Sequence, residues 1–139
     1  MTIDDLKSFH KKIIEEYDMD SNWNPSTIKH HLTTLSGTIA KYLNYWSRLK
    51  HIIIQIDEEY NEKYMILYSH YRENSNINYT VTEIKDLISK DNELCNIRVK
   101  KSAAILIMEY IEKCVDNLNK TRYDLSNYIE IEKFLNGKG

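Results

Sequence analysis

Basic and aromatic side chains alternate over two stretches of this chain in a way that could hold an anionic strand. Lys41, Tyr42, Tyr45, Arg48 and Lys50 form the first, and Lys63, Tyr64, Tyr68, His70, Tyr71 and Arg72 the second. Cations follow a phosphate backbone, and rings offer stacking platforms to unpaired bases. A third basic set, Arg98, Lys100 and Lys101, opens a later apolar segment. Each set has a plainer reading. Tyr64 and Tyr71 also fall on an apolar helical stripe, where they would serve packing, and the third set could simply solvate a polar face.

Signals for catalysis are weak. His30 and His31 are adjacent, so on a helix they point about 100 degrees apart and cannot chelate together. His10, His51 and His70 have no partner at metal-ligand spacing, which predicts no metal site. Asp57, Glu58, Glu59 and Glu62 read as a solvated acidic face, with Glu59 and Lys63 at pairing distance along a helix. Gly37 is isolated and the other glycines are terminal, so no phosphate-cradling loop exists. No enzyme and no cofactor are expected.

The elements that must position these residues are helical. Three Gly and one Pro in 139 residues leave little material for hairpins, and long apolar periodicities run between charged stretches. The length suits one domain with a modest core. Thr2 to Tyr17 carries a helical face, with Thr2 as cap. The stretch from Asp18 to Ser26, with the sole proline, reads as a loop from which Trp23 packs back. Ser26 to Ser36 predicts a helix that either stops near Gly37 or runs on. From Thr38 to about Tyr71 one long amphipathic helix is expected, with Ile39, Leu43, Trp46, Leu49, Ile53, Ile56, Tyr60, Tyr64, Leu67 and Tyr71 on its stripe. The polar Arg72 to Thr80 ends it, and Thr80 with Glu83 has capping-box spacing for a short helix, with Ser89 offering a second cap.

The last helix begins near Leu94, and its stripe through Ile97, Ala104, Met108, Ile111, Val115 and Leu118 is interrupted only by Lys101. Ala103, Leu106, Ile107, Tyr110 and Cys114 lie off that stripe, so most of the circumference is apolar between Ala103 and Ile111. Such a helix needs partners on more than one side, either a second subunit or the neighbours of a compact bundle. Its pattern continues through Leu125, Ile129 and Phe134 until Gly137. The fold class expected is all-α, a long helical hairpin or bundle with an apolar C-terminal oligomerisation region; residues 1–75 form an N-terminal helical region with the strand-binding surface, and 76–139 the oligomerisation region of the same domain.

The net charge of −2 argues against a simple basic nucleic-acid-binding domain, so any anion site must be local. Cys95 and Cys114 lack disulfide-framework or metal spacing and read as buried free thiols. Nothing resembles a secretory leader or a membrane span, which predicts a soluble intracellular protein.

Several segments resemble the UvsY family of recombination mediators of large tailed phages. Ser89-Lys90-Asp91, the apolar helix, Thr121-Arg122-Tyr123 and Glu132-Lys133-Phe134 with Gly137 lie in the family's order, and Lys41-Tyr42-Leu43-Asn44 opens the long helix. The family's basic residues before Tyr-Tyr-Ser-Gly are replaced, since Met65 and Leu67 occupy the basic positions and Arg72-Glu73 the Ser-Gly; the corner Arg is displaced by one, with Thr121 in its place. The resemblance therefore carries the region, with Lys63, His70, Tyr71 and Arg72 as substitutes. It implies a ring-like homo-oligomer joined through Ala104, Ile105, Ile107, Met108, Ile111, Val115, Leu118, Tyr123, Leu125, Ile129 and Phe134. It also implies binding of single-stranded DNA, contact with the phage recombinase and single-strand-binding protein, no catalysis, and action in the cytoplasm of the infected host cell. The alternative is a helical adaptor that binds protein partners only.

Overall fold

A computed structural model describes residues 1–137. Among them every regular element is helical: α1 (Ile3–Asp20), α2 (Ile28–Ser69), a π-helical turn (His70–Asn74), α3 (Val81–Ser89) and α4 (Asn92–Leu135). Local chemistry sets the starts. Thr2 and Asp5 form a reciprocal capping box on α1, Thr80 and Glu83 do the same on α3, and Asp91 accepts from the Leu94 amide to start α4. Asp91 thus takes the capping role expected of Ser89, which is the last residue of α3 and donates its hydroxyl to the Asp86 carbonyl at 2.6 Å. At the far end, Gly137 adopts φ +70°, the left-handed conformation that closes a helix, and donates to Phe134.

Gly37 does not interrupt α2. Thr33, Thr34 and Thr38 donate their hydroxyls to carbonyls one turn back, which satisfies them within the helix, and the apolar series Ile28, Leu35, Ile39 holds the turn against its neighbours. α2 and α4, 42 and 44 residues long, form an antiparallel hairpin about 65 Å in length. Side-chain bridges fix the register: Arg122 reaches Ser36, Trp46 donates to Glu112, Lys101 pairs with Asp57 and Lys63 with Glu93.

α1 lies along the middle of one side of this hairpin, antiparallel to α2. Met1 sits beside Ile52 and Glu59, and Asp20 reaches Lys41 and Tyr42. Leu6, Phe9 and Ile13 are buried against Tyr42, Leu49, Ile107 and Ile111, whereas α3 adds Ile84 and Ile88 at the π-turn end. This arrangement supplies most of the partners that the apolar circumference of α4 requires, and leaves Leu106 63% exposed. Ala104, Ile107, Ile111, Cys114, Leu118 and Leu125 are buried inside the subunit, and Tyr110 meets Tyr17 and His10 edge-on. One stripe position differs from the expected pattern: Tyr42 is fully buried, while Leu43 is 49% exposed. Trp23 packs back from its loop onto Tyr128 of α4, with ring centroids 6.3 Å apart. No described helix is long and apolar enough to cross a membrane.

Candidate nucleic-acid interface

Helical spacing sorts the charged and aromatic residues onto two sides of the α2–α4 seam. On the α1 side the cations are taken. Lys41 pairs with Glu16 and Asp20, Lys100 Nζ lies 3.2 Å from Glu59, and Lys63 Nζ lies 2.7 Å from Glu93, a hydrogen bond that raises the lysine pKa. Tyr42 and Tyr45 donate to Asp20 and Glu16 at 2.8 and 2.6 Å. Burial, then the hydrogen bond to Glu16, pushes the Tyr45 phenol up to about 12. Lys41, Tyr42 and Tyr45 thus tie the end of α1 to α2. Beside them Arg48 sits 4.9 Å over the Phe9 ring and Lys12 5.6 Å over the Tyr45 ring.

The opposite side is different. Tyr60, Tyr64 and Tyr68 stand one turn apart on α2, with centroids separated by 6.3 and 6.5 Å and the last two planes within 16° of parallel. All three pack one side against the core and keep another in solvent. Arg72 closes one end of this ladder with a contact to the Tyr68 hydroxyl at 3.4 Å. At the other end, Ile56, Asp57, Tyr60, Ile97, Arg98 and Lys101 line a hollow of about 140 Å³. Lys101 Nζ is 2.7 Å from Asp57 Oδ1, which explains how a cation is tolerated in the apolar stripe of α4. Arg98 donates to the Ser89 carbonyl at the end of α3 and to Cys95 Sγ, both at 3.0 Å, and remains exposed. Further along α2, Lys50 is exposed, 5.9 Å above the Trp46 ring.

The structure therefore brings Arg98 and Lys101 together beside Tyr60 and places Arg72 at the far end of the same ladder. It leaves Lys41, Lys63 and Lys100 in ion pairs on the α1 side, and Tyr45 and Arg48 in the α1 contact. His70 and Tyr71 lie in the π-turn, where Tyr71 packs on Tyr79 at 5.8 Å. The i, i+4 spacing of Tyr60, Tyr64 and Tyr68 is the signal for a ladder in the sequence; Tyr64 and Tyr68 belong to the second basic and aromatic set, whereas Tyr60 reads there only as a stripe position.

Of the expected interface residues, Ala104, Ile107, Ile111, Leu118 and Leu125 are enclosed by the subunit's own helices. Ile105, Met108, Val115 and Ile129 are half-buried, and Tyr123 and Phe134 are exposed. Beyond the reach of α1, Tyr123, Ile131, Phe134 and Leu135 form an outward stripe on α4, each more than half exposed. Among the described residues, no group of three or more His, Cys, Asp or Glu could hold a metal ion.

A family model described as "Recombination, repair and ssDNA binding protein UvsY" matches residues 16–138. The chain belongs to the UvsY family. Its fold is that of the bacteriophage T4 recombination mediator protein UvsY. One crystal form of that protein superposes with TM-score 0.79 at 14% identity, covering 90% of this chain and 97% of the T4 chain. Two further forms give 0.73 at 16% identity, covering 96% and 97%, and 0.74 at 15% identity, covering 88% and 98%. No curated protein matches the chain in sequence. As a UvsY family member the chain is a single-strand-binding protein of recombination and repair. The family match begins within α1, and Glu16 and Asp20, which hold Lys41 and Tyr42, both fall inside it.

Proposed function

We propose that this UvsY-type mediator holds single-stranded DNA on the face of the α2–α4 seam away from α1. Bases lie on the Tyr60, Tyr64 and Tyr68 ladder, and Arg72, Arg98, Lys101 and Lys50 follow the backbone. The observation that carries this reading is the ladder itself, three half-exposed rings in helical register with an arginine at either end. Stacking is indifferent to sequence, as a mediator requires, because every base has a π-face.

The working form is a homo-oligomer, a ring joined through the exposed apolar end of α4, with Tyr123, Ile131, Phe134 and Leu135 at the contact. Linking modest sites in this way raises the effective concentration of each next contact, so a chain of net charge −2 can still bind a polyanion tightly. In the cytoplasm of the infected cell the assembly reshapes DNA covered by single-strand-binding protein and favours loading of the phage recombinase by preferring the remodelled strand. The reading is supported by family membership and by the T4 fold, and it assigns no catalytic step to any residue.

The test is fluorescence anisotropy with labelled single- and double-stranded oligonucleotides across a salt series. Preferential single-strand binding that weakens with salt is expected, with a slope that counts phosphate contacts. Absence of binding at low salt would favour the protein-only adaptor, a reading that rests on the net acidity and the replaced basic motif and that the carboxylates on Lys41, Lys63, Lys100 and Lys101 also favour.

A further inference from the structure

We propose that Asp57 is a built-in competitor for the DNA backbone and sets the affinity of the site. The proposal rests on the strand path along the tyrosine ladder described above. Asp57 lines the hollow at the head of that ladder together with Tyr60, Arg98 and Lys101, and its Oδ1 lies 2.7 Å from Lys101 Nζ. The Lys101 ammonium has three N–H donors, and a phosphate oxygen that approaches it from the Tyr60 side meets the Asp57 carboxylate already there. The carboxylate therefore occupies, within the chain, the place a backbone phosphate takes when a strand threads past Tyr60.

The exchange is physically inexpensive. Lys101 and Asp57 side chains are 40% and 47% exposed, so their pair is a solvated one of small net worth. A phosphate carries equivalent charge and brings its neighbours into reach of Arg98, which has no carboxylate partner among the described ion pairs. Displaced Asp57 keeps its charge beside the strand, and this repulsion persists in the complex. Both effects lower affinity without altering the stacking surface. A mediator that must hand its strand on has a use for such a brake, because the carboxylate returns to Lys101 as the phosphate leaves.

The substitution Asp57→Asn removes the competitor and keeps its shape. Single-strand affinity, read by anisotropy on the full chain, should tighten at least threefold, and the salt slope should stay near its wild-type value, because Lys101 meets the same phosphate in both proteins. Glu62→Gln removes the same charge from an exposed position of α2 that holds no cation, and serves as the control for net charge. It should change affinity less than twofold. Equal effects of the two substitutions would reduce Asp57 to bulk electrostatics and overturn the proposal, as would unchanged or weaker binding by Asp57→Asn with a wild-type melting temperature. If Asp57→Asn lowers stability, Lys101→Met settles the matter, since it must weaken binding and flatten the slope if the exchange occurs. Wild-type protein that fails to bind single strands would remove the strand path and this proposal with it, whereas wild-type binding with an inert Asp57→Asn would remove the proposal alone.

Discussion

Replacing Tyr64 by Ala tests the stacking surface apart from the charge. Tyr64 is the middle rung, 6.3 Å from Tyr60 and 6.5 Å from Tyr68, so its loss leaves two isolated rings with no shared platform between them. Stacking one base on a ring is worth about 1–3 kcal/mol by truncation. The expected loss in single-strand affinity is therefore roughly 5-fold to 150-fold per engaged site. Because no charge changes, the dependence of log Kd on log salt should keep its wild-type slope. Arg72→Ala should do the reverse, flattening the slope by about 0.7 with a smaller loss at low salt. Tyr64 also packs partly on the core, so Tyr64→Ala should lower stability by about 2 kcal/mol, roughly half the cost of truncating a buried ring. Circular dichroism must therefore show a folded protein at the assay temperature before the binding is interpreted. Tyr64→Phe, which keeps the ring, should bind within twofold of wild type. Wild-type affinity in a folded Tyr64→Ala would refute the ladder as the base platform, and a changed salt slope would show that the substitution had disturbed the cations instead.

Other outcomes follow from the same geometry. Phe134→Ser with Leu135→Ser should give smaller species on sizing with unchanged helicity, since both side chains face outward on α4. Ile111→Ala should instead cost about 2–5 kcal/mol of subunit stability in chemical unfolding, because Ile111 is fully enclosed between α1 and α2. Gly37→Ala should stabilise α2 by about 0.5–1 kcal/mol, as an added methyl meets nothing within 4 Å. Tyr45 and Tyr110 phenols, both pushed up to about 12 chiefly by burial, favour the neutral form in the fold. Their stabilisation is complete below the unfolded value near 10 and is lost as pH rises toward about 12, so unfolding titrations should show stability falling across that window, less steeply in Tyr45→Phe.

The periodicity of the sequence made the helices legible, because an amphipathic stripe and a polar cap are local signals. Thr80 with Glu83, the break at Pro25 and the stop at Gly137 all state their role within a few residues. Which neighbour covers which face is not local. The apolar girth of α4 called for partners, and only the packing of α1 shows that Ile107 and Ile111 find theirs within the subunit. The same holds for charge. Lys41, Lys100 and Lys101 read as free cations along the chain and Lys63 as the helical partner of Glu59, but their carboxylate partners lie 21, 41, 44 and 30 positions away, with Lys63 on Glu93 and Glu59 given to Lys100. Pairing across the hairpin is set by register, which composition does not encode.

That register also explains how a slightly acidic chain can present a surface to DNA. Antiparallel pairing of α2 with α4 brings Glu59 and Glu93 against Lys100 and Lys63 on the side where α1 packs, and neutralises that side. On the other side, among the described residues, it leaves Arg98 and Arg72 outside any carboxylate pair and gives Lys101 a single one. Sliding α4 by one turn would move Lys101 away from Asp57 and open the ladder's head to solvent, with no change in net charge. On the proposed strand path the property that matters is the local sum along Tyr60 to Tyr68, and the long hairpin is what holds that sum fixed. A shortened hairpin with the same composition should lose single-strand preference before it loses helicity.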